Sequence, residues 1–201
     1  MRILRYGREA LLVELAGLGE VTGLHRALSE ALPPGVAELV PAARTLLVTY
    51  DPAATTHDAV AAVVRGTDVT AATAGRGPLV ELPVTYDGPD LEEVARLAGL
   101  PADEVARRHA AAEYAVAFCG FAPGFAYLTG GDPALRVPRR STPRTTVPAG
   151  AVGLADEFTG VYPRPSPGGW QLLGTTGAPL WDADRDPPAL LAPGTRVRFV
   201  P

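Results

Sequence analysis

Regular helical periodicity ends at Tyr114, and the apolar residues beyond it occur in runs too short and too interrupted for helices. The runs YAVAFC, AVGLA, WQLLGTT and RVRFVP are separated by segments rich in Gly, Pro and Thr. Because Gly and Pro interrupt helices, short apolar runs between such turns are typical of a compact β-barrel or sandwich. The sequence therefore predicts a β-barrel domain over residues 79–201, with two helices near its start.

Those two helices are predicted at DLEEVARLAG and PADEVARRHA. In the first, Asp90 with Glu93 three positions later resembles a capping box, and Gly99 ends the helix. In the second, Pro101 lies near the first turn. His109 follows two arginines near the end, where cations interact favourably with the helix dipole. We expect both helices to serve as scaffold.

Residues 1–78 have a different pattern, in which strand-like and helix-like runs alternate. Helices are predicted at 19–32 and from Thr55 or Thr56 to Gly66. The order is strand, helix, strand, strand, helix, strand, with PLVELPVTYD as the last strand, which is the split β-α-β pattern of ferredoxin-like domains. We therefore predict an α+β chain with a small N-terminal domain over residues 1–78 and a linker at TAGRGP (73–78).

The composition excludes several classes of protein. The chain has no lysine, and all 18 cationic side chains are arginine. This excludes a P-loop lysine, a Schiff-base lysine and a biotin-carrying lysine. The net charge of −4 argues against nucleic acid or an anionic membrane as the main partner. The three histidines lie far apart, so no metal site is evident. One cysteine and no signal-peptide pattern make a cytoplasmic location the default expectation.

The segment FCGFAPGFAYLTGG (118–131) is the first of three that could bind a ligand. It places Phe121, Pro123, Gly124, Phe125 and Tyr127 on an irregular, uncharged loop. Glycine permits positive φ or a close backbone approach, and proline fixes a bend. An irregular apolar loop must either plug the barrel or contact something outside it, and both alternatives remain open from the residues alone.

Two later segments carry polar groups. RVPRRSTPRTTVPAGAVGLA (136–155) places Arg139, Arg140 and Arg144 among Ser and Thr hydroxyls, which suits a carboxylate or phosphate, although a solvated loop is the alternative. FTGVYPRPSPGGWQLLGTT (158–176) offers hydroxyls, exposed backbone N–H groups and a flat aromatic wall that could cradle an oxyanion. Its candidate binding residues are Thr159, Tyr162, Ser166, Gly168, Gly169 and Trp170.

In this order and spacing, GFAPGFAYL, TPRTTVPAGAVGLA and TGVYPRPSPGGWQLLGTT resemble the allophanate hydrolase subunit 1 family. That family includes the B subunit of the ATP-dependent 5-oxoprolinase and the KipI-type kinase inhibitor. The resemblance covers essentially the whole chain. It implies a small N-terminal α/β domain followed by a cyclophilin-like β-barrel. It also favours ligand or partner contact for the aromatic loop, which we expect to line a pocket with Trp170 and the Gly168–Gly169 backbone.

The resemblance implies an enzyme subunit that acts with ATP in a complex opening the lactam of 5-oxoproline to L-glutamate. The implied partners are one chain of the allophanate hydrolase subunit 2 family and one chain of the LamB/YcsF family. The chain has no evident acid/base cluster, so no catalytic residue is assigned and a composite site is expected. Two alternatives are a KipI-like inhibitor that binds a sensor histidine kinase, and a carboxyltransferase or allophanate hydrolase-type subunit with a urea-derived substrate.

Three positions depart from the family pattern. Ala151 stands where many members have a hydroxyl residue, Phe158 where many have Gln, and Thr175 where many have Arg. If those groups bind substrate in other members, the substrate or activity of this chain differs from theirs.

Overall fold

The computed structural model describes residues 1–69 and 77–201, which divide into two compact units, Met1–Ala74 and Gly75–Pro201. The predicted linker TAGRGP lies mostly outside the described residues, so the boundary at residue 78 stays a prediction.

The elements of the first unit are β1 (Arg2–Arg5), β2 (Ala10–Glu14), α1 (Leu18–Glu30), β3 (Val36–Pro41), β4 (Thr45–Tyr50) and α2 (His57–Gly66). Its sheet has the order β1-β2-β4-β3, and all neighbouring strands are antiparallel. The ferredoxin-like fold is not confirmed. The sequence prediction missed β1, which occupies the edge beside β2, and the strand predicted to complete this domain belongs to the sheet of the second unit.

The first unit is held together by one core between its sheet and its helices. In β2, Leu11 and Val13 are fully buried, as the period-2 alternation of a strand requires when one face is covered. They pack in one cluster with Leu24 of α1 and Val60 of α2. The Thr56 hydroxyl caps α2 by accepting a hydrogen bond from the Ala59 N–H at 3.2 Å, which confirms one of the two predicted caps.

Over residues 77–201, the second unit contains nine strands, two α-helices and a single-turn 3₁₀ helix at Pro133–Leu135. They are β5 (Leu79–Pro83), α3 (Leu91–Ala98), α4 (Ala102–Ala111), β6 (Tyr114–Cys119), β7 (Ala126–Thr129), β8 (Arg144–Val147), β9 (Ala151–Ala155), β10 (Phe158–Val161), β11 (Ser166–Gly168), β12 (Gln171–Thr175) and β13 (Arg196–Val200).

Seven of these strands form a curled sheet in the order β12-β9-β10-β7-β6-β13-β5, and β8 and β11 form a separate ribbon. The pairing of β13 with β5 is parallel. The edges of the curled sheet meet where Thr85 and Thr175 exchange backbone hydrogen bonds of 2.8 and 2.9 Å. The α+β class and a curled β-sheet after Tyr114 are therefore confirmed.

The helices α3 and α4 pack against the curled sheet through Val94, Val105 and Leu173, which are fully buried. Gly99 ends α3 in the left-handed conformation with φ of 67°, as predicted. The predicted capping box is wrong, because the Asp90 side chain makes no hydrogen bond to the first turn of α3. Within residues 1–69 and 77–201, no helix combines the length and apolar character needed to cross a bilayer.

Candidate functional site

Two of the three predicted binding segments are joined by backbone pairing. In the ribbon of β8 and β11, Arg144 lies opposite Gly168. The Arg140 N–H also donates a hydrogen bond of 2.8 Å to the Gly169 carbonyl oxygen. The arginine-rich segment and the Gly-Gly segment therefore lie side by side.

The aromatic segment adjoins them through a cluster of rings. Phe125 makes edge-to-face contacts with Tyr162 at 5.3 Å and with Trp170 at 5.4 Å between centroids. The Tyr127 ring lies 5.6 Å from Trp170. Phe125, Tyr162 and Trp170 are at most 4% exposed. Trp170 therefore supports the site from the core side, and the exposed wall expected from the sequence is not formed by its ring.

Phe121 is the strained residue of this loop. Its φ is 70°, in the left-handed region that costs a non-glycine residue roughly 1–2 kcal/mol. Glycine adopts this conformation most easily, but Gly120, which directly precedes Phe121, is not among the residues with positive φ. The Phe121 side chain is 57% exposed, and its ring lies edge-on to Phe125 at 5.4 Å. Strain that holds an aromatic ring in solvent is characteristic of functional loops.

Gly124, in the same loop, has φ of 83°, so its predicted conformational role is confirmed. A Cβ atom there would lie 2.9 Å from the Trp181 Cβ and 3.2 Å from the Leu180 carbonyl oxygen. Trp181 is 43% exposed, and Pro123 is also exposed. The loop thus presents Phe121, Pro123 and the neighbouring Trp181 as an exposed aromatic surface.

A buried carboxylate organises the arginine segment. The Asp90 side chain is 4% exposed. Its Oδ1 accepts hydrogen bonds of 2.7 Å from Arg140 Nη1 and from Arg144 Nη2, and its Oδ2 accepts one of 2.8 Å from the Leu172 N–H. Burial alone raises the pKa of Asp90, but the hydrogen bonds from Arg144 and Leu172 and the two positive charges outweigh it and hold that pKa below its ordinary value.

Arg144 is therefore not a freely exposed cation. Its side chain is 23% exposed and paired with Asp90, so the expectation of a solvated loop does not hold at this position. Arg139, by contrast, is exposed. Burial raises the pKa of Tyr127, and the positive charge of Arg139 offsets part of that rise.

The Gly-Gly segment packs closely around a tyrosine. A Cβ atom on Gly168 would overlap the Tyr162 hydroxyl, whereas one on Gly169 would meet nothing nearer than 3.7 Å. Burial raises the pKa of Tyr162, and the backbone N–H of Trp170, which donates to the Tyr162 oxygen, partly offsets this rise. The Ser166 hydroxyl donates to the Arg164 carbonyl oxygen at 3.1 Å, so it serves its own turn.

Thr159 belongs to a different, buried network. His109, 1% exposed, places Nδ1 2.8 Å from the Tyr86 hydroxyl and Nε2 3.0 Å from Thr159 Oγ1. Because Thr159 donates its proton to the Gly153 carbonyl oxygen at 2.9 Å, it accepts from His109 Nε2–H, and Nδ1 accepts from Tyr86. Thr159 is itself 3% exposed and engaged with the core.

The network fixes His109 as a neutral imidazole. Burial lowers the pKa of His109 to about 3. The prediction that His109 is a cation at the end of α4 is therefore wrong. A cavity of about 20 Å³ lies beside His109 and Thr159, which is room for about one water molecule.

The described residues contain no group of three or more His, Cys, Asp or Glu side chains placed to hold a metal ion. Burial raises the pKa of the Cys119 thiol, whose Sγ lies 3.5 Å from the Leu191 carbonyl oxygen. Cys119 thus behaves as a small, partly buried hydrophobic residue.

A single family model spans both units. The model "Carboxyltransferase domain, subdomain C and D" matches residues 1–191. The chain belongs to this family, and its similarity to curated relatives confirms the resemblance to the allophanate hydrolase subunit 1 group.

The curated relatives share one name. The chain is 43% identical over 172 residues to the 5-oxoprolinase B subunit of Escherichia coli O157:H7, which is 84% of this chain and 79% of that protein. It is 49% identical over 125 residues to the 5-oxoprolinase B subunit of Bacillus subtilis (strain 168), which is 61% of this chain and 52% of that protein.

Solved structures show the same fold. The crystal structure of TTHA0988 matches with a TM-score of 0.80 and 40% identity over 96% of this chain, but the chain spans only 39% of that protein. PH0987 from Pyrococcus horikoshii, described as a conserved uncharacterized protein, matches with a TM-score of 0.60 and 37% identity, covering 100% and 97% of the two chains. The urea carboxylase of Kluyveromyces lactis, at 19% identity and a TM-score of 0.74, shares the fold alone.

Sequence reasoning included Arg140 in the candidate arginine segment, but it missed Asp90 as a member of the site and Trp181 as part of its exposed surface. Asp90 was assigned to a helix cap because it directly precedes a helix, which is also the position of a capping acid. The better signal for Asp90 was that residues 136–155 contain four arginines and no acid, so that any carboxylate paired with them comes from elsewhere in the chain. The Tyr86–His109–Thr159 network joins distant segments and has no local signal.

Proposed function

We propose that this chain is a subunit of an ATP-dependent 5-oxoprolinase complex, which hydrolyses 5-oxoproline to L-glutamate. The observation that carries the proposal is the 43% identity to the E. coli O157:H7 5-oxoprolinase B subunit over 79% of that protein. The chain would act as a hydrolase subunit, and a cyclophilin-like barrel and a cytoplasmic location remain our expectations for it.

The chemistry of the reaction sets what such a complex must supply. A lactam carbonyl is a poor electrophile. Transfer of the γ-phosphoryl group from ATP to its oxygen, with release of ADP, makes the carbon more electrophilic, so that water can add to it. The ring C–N bond then breaks to free the amine, and a second water hydrolyses the resulting acyl phosphate to the carboxylate and inorganic phosphate. The complex therefore needs cations for phosphate, hydrogen-bond donors for an oxyanion and a base for water. On this chain, Arg139 and the Arg140–Arg144 pair offer the cations, and the backbone of Gly168 and Gly169 lies beside them.

A general base is the part that this chain does not supply from the candidate site. The ring nitrogens of His109 are both occupied within the core, and both oxygens of Asp90 accept hydrogen bonds. We propose that the complex contains two partner chains, one of the allophanate hydrolase subunit 2 family and one of the LamB/YcsF family. One of these partners supplies the base. The exposed Phe121 and Trp181 favour docking of such a partner, because aromatic residues are enriched at interface hot spots.

The test is reconstitution. This chain and the two partner proteins are purified separately and assayed for glutamate release from 5-oxoproline with ATP, first singly and then combined. We expect no turnover by this chain alone and turnover by the combination. Turnover by the single chain would contradict the composite site, and an inactive combination that assembles stably would contradict the assignment to 5-oxoprolinase.

The exposed aromatic surface also favours a second candidate function, a KipI-like inhibitor that docks on a sensor histidine kinase. This candidate requires that the chain lower the autophosphorylation of the kinase. It also requires that the reconstituted mixture of this chain and the two partner proteins turn over neither 5-oxoproline nor ATP. The same preparations test both functions.

A further inference from the structure

We propose that Asp90 is a positioning residue that holds Arg140 and Arg144 as a paired site for an anionic oxygen group, either a carboxylate or a phosphoryl group. The inference rests on the proposed function, since 5-oxoproline carries a carboxylate and ATP carries phosphates. In this proposal the two arginines bind the anion, and Asp90 orients the arginines.

Asp90 connects the arginine segment to the curled sheet. Its Oδ2 is fixed to the backbone of β12 by the Leu172 N–H at 2.8 Å. Its Oδ1 receives both guanidinium groups at 2.7 Å, one from the loop before β8 and one from the first residue of β8. Two long, flexible side chains are thereby converged on one point, which reduces the conformational entropy that a ligand would otherwise have to remove.

The charge of this group is not balanced. One carboxylate faces two guanidinium groups, so the group has a formal excess of one positive charge. Two other arginine pairs in the described part of the second unit are balanced. Arg107 and Arg108 face Glu104 and Asp132, and Arg196 and Arg198 face Glu113 and Glu81. An uncompensated cation that is partly buried favours an anion, because the local dielectric is lower than that of water.

The two arginines also retain unused hydrogen-bond donors. Arg140 Nε and Arg144 Nη1 are buried and have no hydrogen-bond partner. The great majority of buried N–H groups in proteins are paired, and each exception needs an explanation. An anionic oxygen group is the acceptor that guanidinium groups bind most strongly. These two nitrogen atoms are themselves shielded from solvent, whereas the whole side chains are 34% and 23% exposed, so an anion reaches the pair through its exposed atoms.

The surroundings suit the same ligand. Arg139 adds a second, exposed positive charge next to Arg140, and Gly169, where a Cβ atom would meet nothing nearer than 3.7 Å, leaves room beside the pair. A purely structural ion pair would need neither the additional cation nor the unpaired donors.

The first experiment measures steady-state kinetics of the assembled complex with Asp90→Asn and Arg140→Gln variants of this chain. We expect KM to rise about tenfold or more for one substrate, since a lost charged hydrogen bond weakens binding by about that factor. A rise for 5-oxoproline identifies a carboxylate site, and a rise for ATP identifies a phosphoryl site. Arg107→Gln is the matched control, because this exposed arginine lies in a balanced group, and it should change neither KM.

A structural role predicts a different result. If Asp90 only stabilises the fold, Asp90→Asn lowers the folded fraction and therefore the apparent kcat, while both KM values stay at wild-type level. That outcome in the Asp90 and Arg140 variants overturns the inference. Restoration of KM by Asp90→Glu or Arg140→Lys, but not by Asp90→Asn or Arg140→Gln, would support a charge-dependent positioning role.

The second experiment separates the inference from the proposed function. The full chain alone is heated with 5-oxoproline, L-glutamate or inorganic pyrophosphate, and its melting temperature is recorded. We expect one of these anions to raise the melting temperature of the wild type and of Arg107→Gln, but not of Arg140→Gln. An inactive complex with this selective stabilisation contradicts the 5-oxoprolinase assignment alone. The anion site is contradicted if an anion stabilises Arg107→Gln and Arg140→Gln equally. It is also contradicted if no anion stabilises the wild type or either variant.

Discussion

The buried His109 makes the stability of the second unit dependent on pH, and the variant His109→Gln isolates that dependence. Glutamine is neutral at every pH. Its amide offers an acceptor for the Tyr86 hydroxyl and a donor for the Thr159 oxygen, so it matches both hydrogen bonds of the neutral histidine. His109→Gln therefore removes the protonation of His109 and keeps the hydrogen bonds to Tyr86 and Thr159.

The sign follows from the two pKa values. In the folded chain burial lowers the pKa of His109 to about 3, whereas an unfolded histidine titrates near its ordinary value of about 6.5. Between these values the unfolded state binds more protons, so stability falls as the pH falls from about 6.5 towards 3. At about 1.4 kcal/mol for each pH unit, the wild type should lose about 3 kcal/mol more than His109→Gln between roughly pH 7.5 and pH 4.5.

Urea denaturation followed by tryptophan fluorescence measures this difference. Both tryptophans, Trp170 and Trp181, belong to the second unit, so the signal reports unfolding of the unit that contains His109. Asp132 and Glu157, which line the cavity beside His109, are unchanged in the variant, so their contributions cancel in the difference. Parallel stability curves for wild type and variant over this pH range would refute the buried, neutral histidine.

Three further predictions use matched pairs and the same urea assay. Arg144→Ala should lower the free energy of unfolding by about 2 kcal/mol, because its buried carboxylate partner loses a charged hydrogen bond, whereas the exposed Arg139→Ala should change it by less than about 0.5 kcal/mol. Phe121→Gly should be about 1 kcal/mol more stable than Phe121→Ala, since both remove the ring but only glycine relieves the left-handed backbone. Gly168→Ala should cost about 1–3 kcal/mol through overlap with a tyrosine hydroxyl, and Gly169→Ala, with more room, should cost less.

Each pair has a result that contradicts it. Equal losses for Arg139 and Arg144 would mean that the ion pair adds nothing to stability. Equal stability of the two Phe121 variants would remove the argument from backbone strain. A tolerated alanine at Gly168 would show that the Tyr162 hydroxyl moves easily.

The sequence predicted the features that depend on local pattern. A few neighbouring residues are enough to predict three of them. These are the loss of helical periodicity at Tyr114, the C-terminal end of α3 at Gly99 and the cap of α2 at Thr56. The aromatic loop was also expected beside Trp170, and the structure brings the two together through the Phe125 ring.

The features that the sequence did not predict depend on distant partners. The strand at residues 79–83 has the same local pattern whether it pairs in the first unit or with β13. Counting it as the last strand of the split β-α-β pattern was therefore wrong, although the predicted domain bounds placed it within residues 79–201. Asp90 has the local signature of a helix cap, and only its contacts with Arg140 and Arg144 show another role. His109 follows two arginines on a polar helix, and its neutrality comes from burial that no neighbouring residue reveals.

The parallel pairing of β5 with β13 has a consequence for how the second unit forms. The two strands meet across a sequence separation of 117 residues, and β13 also pairs with β6. During synthesis β5 emerges early and has an unsatisfied edge until β13 arrives, and such exposed edges favour mispairing and aggregation. The helices α3 and α4, which are built from local contacts, can form in the interval. Closure of the sheet is thus a late, entropically costly event, and β13 is the strand on which completion of this unit depends.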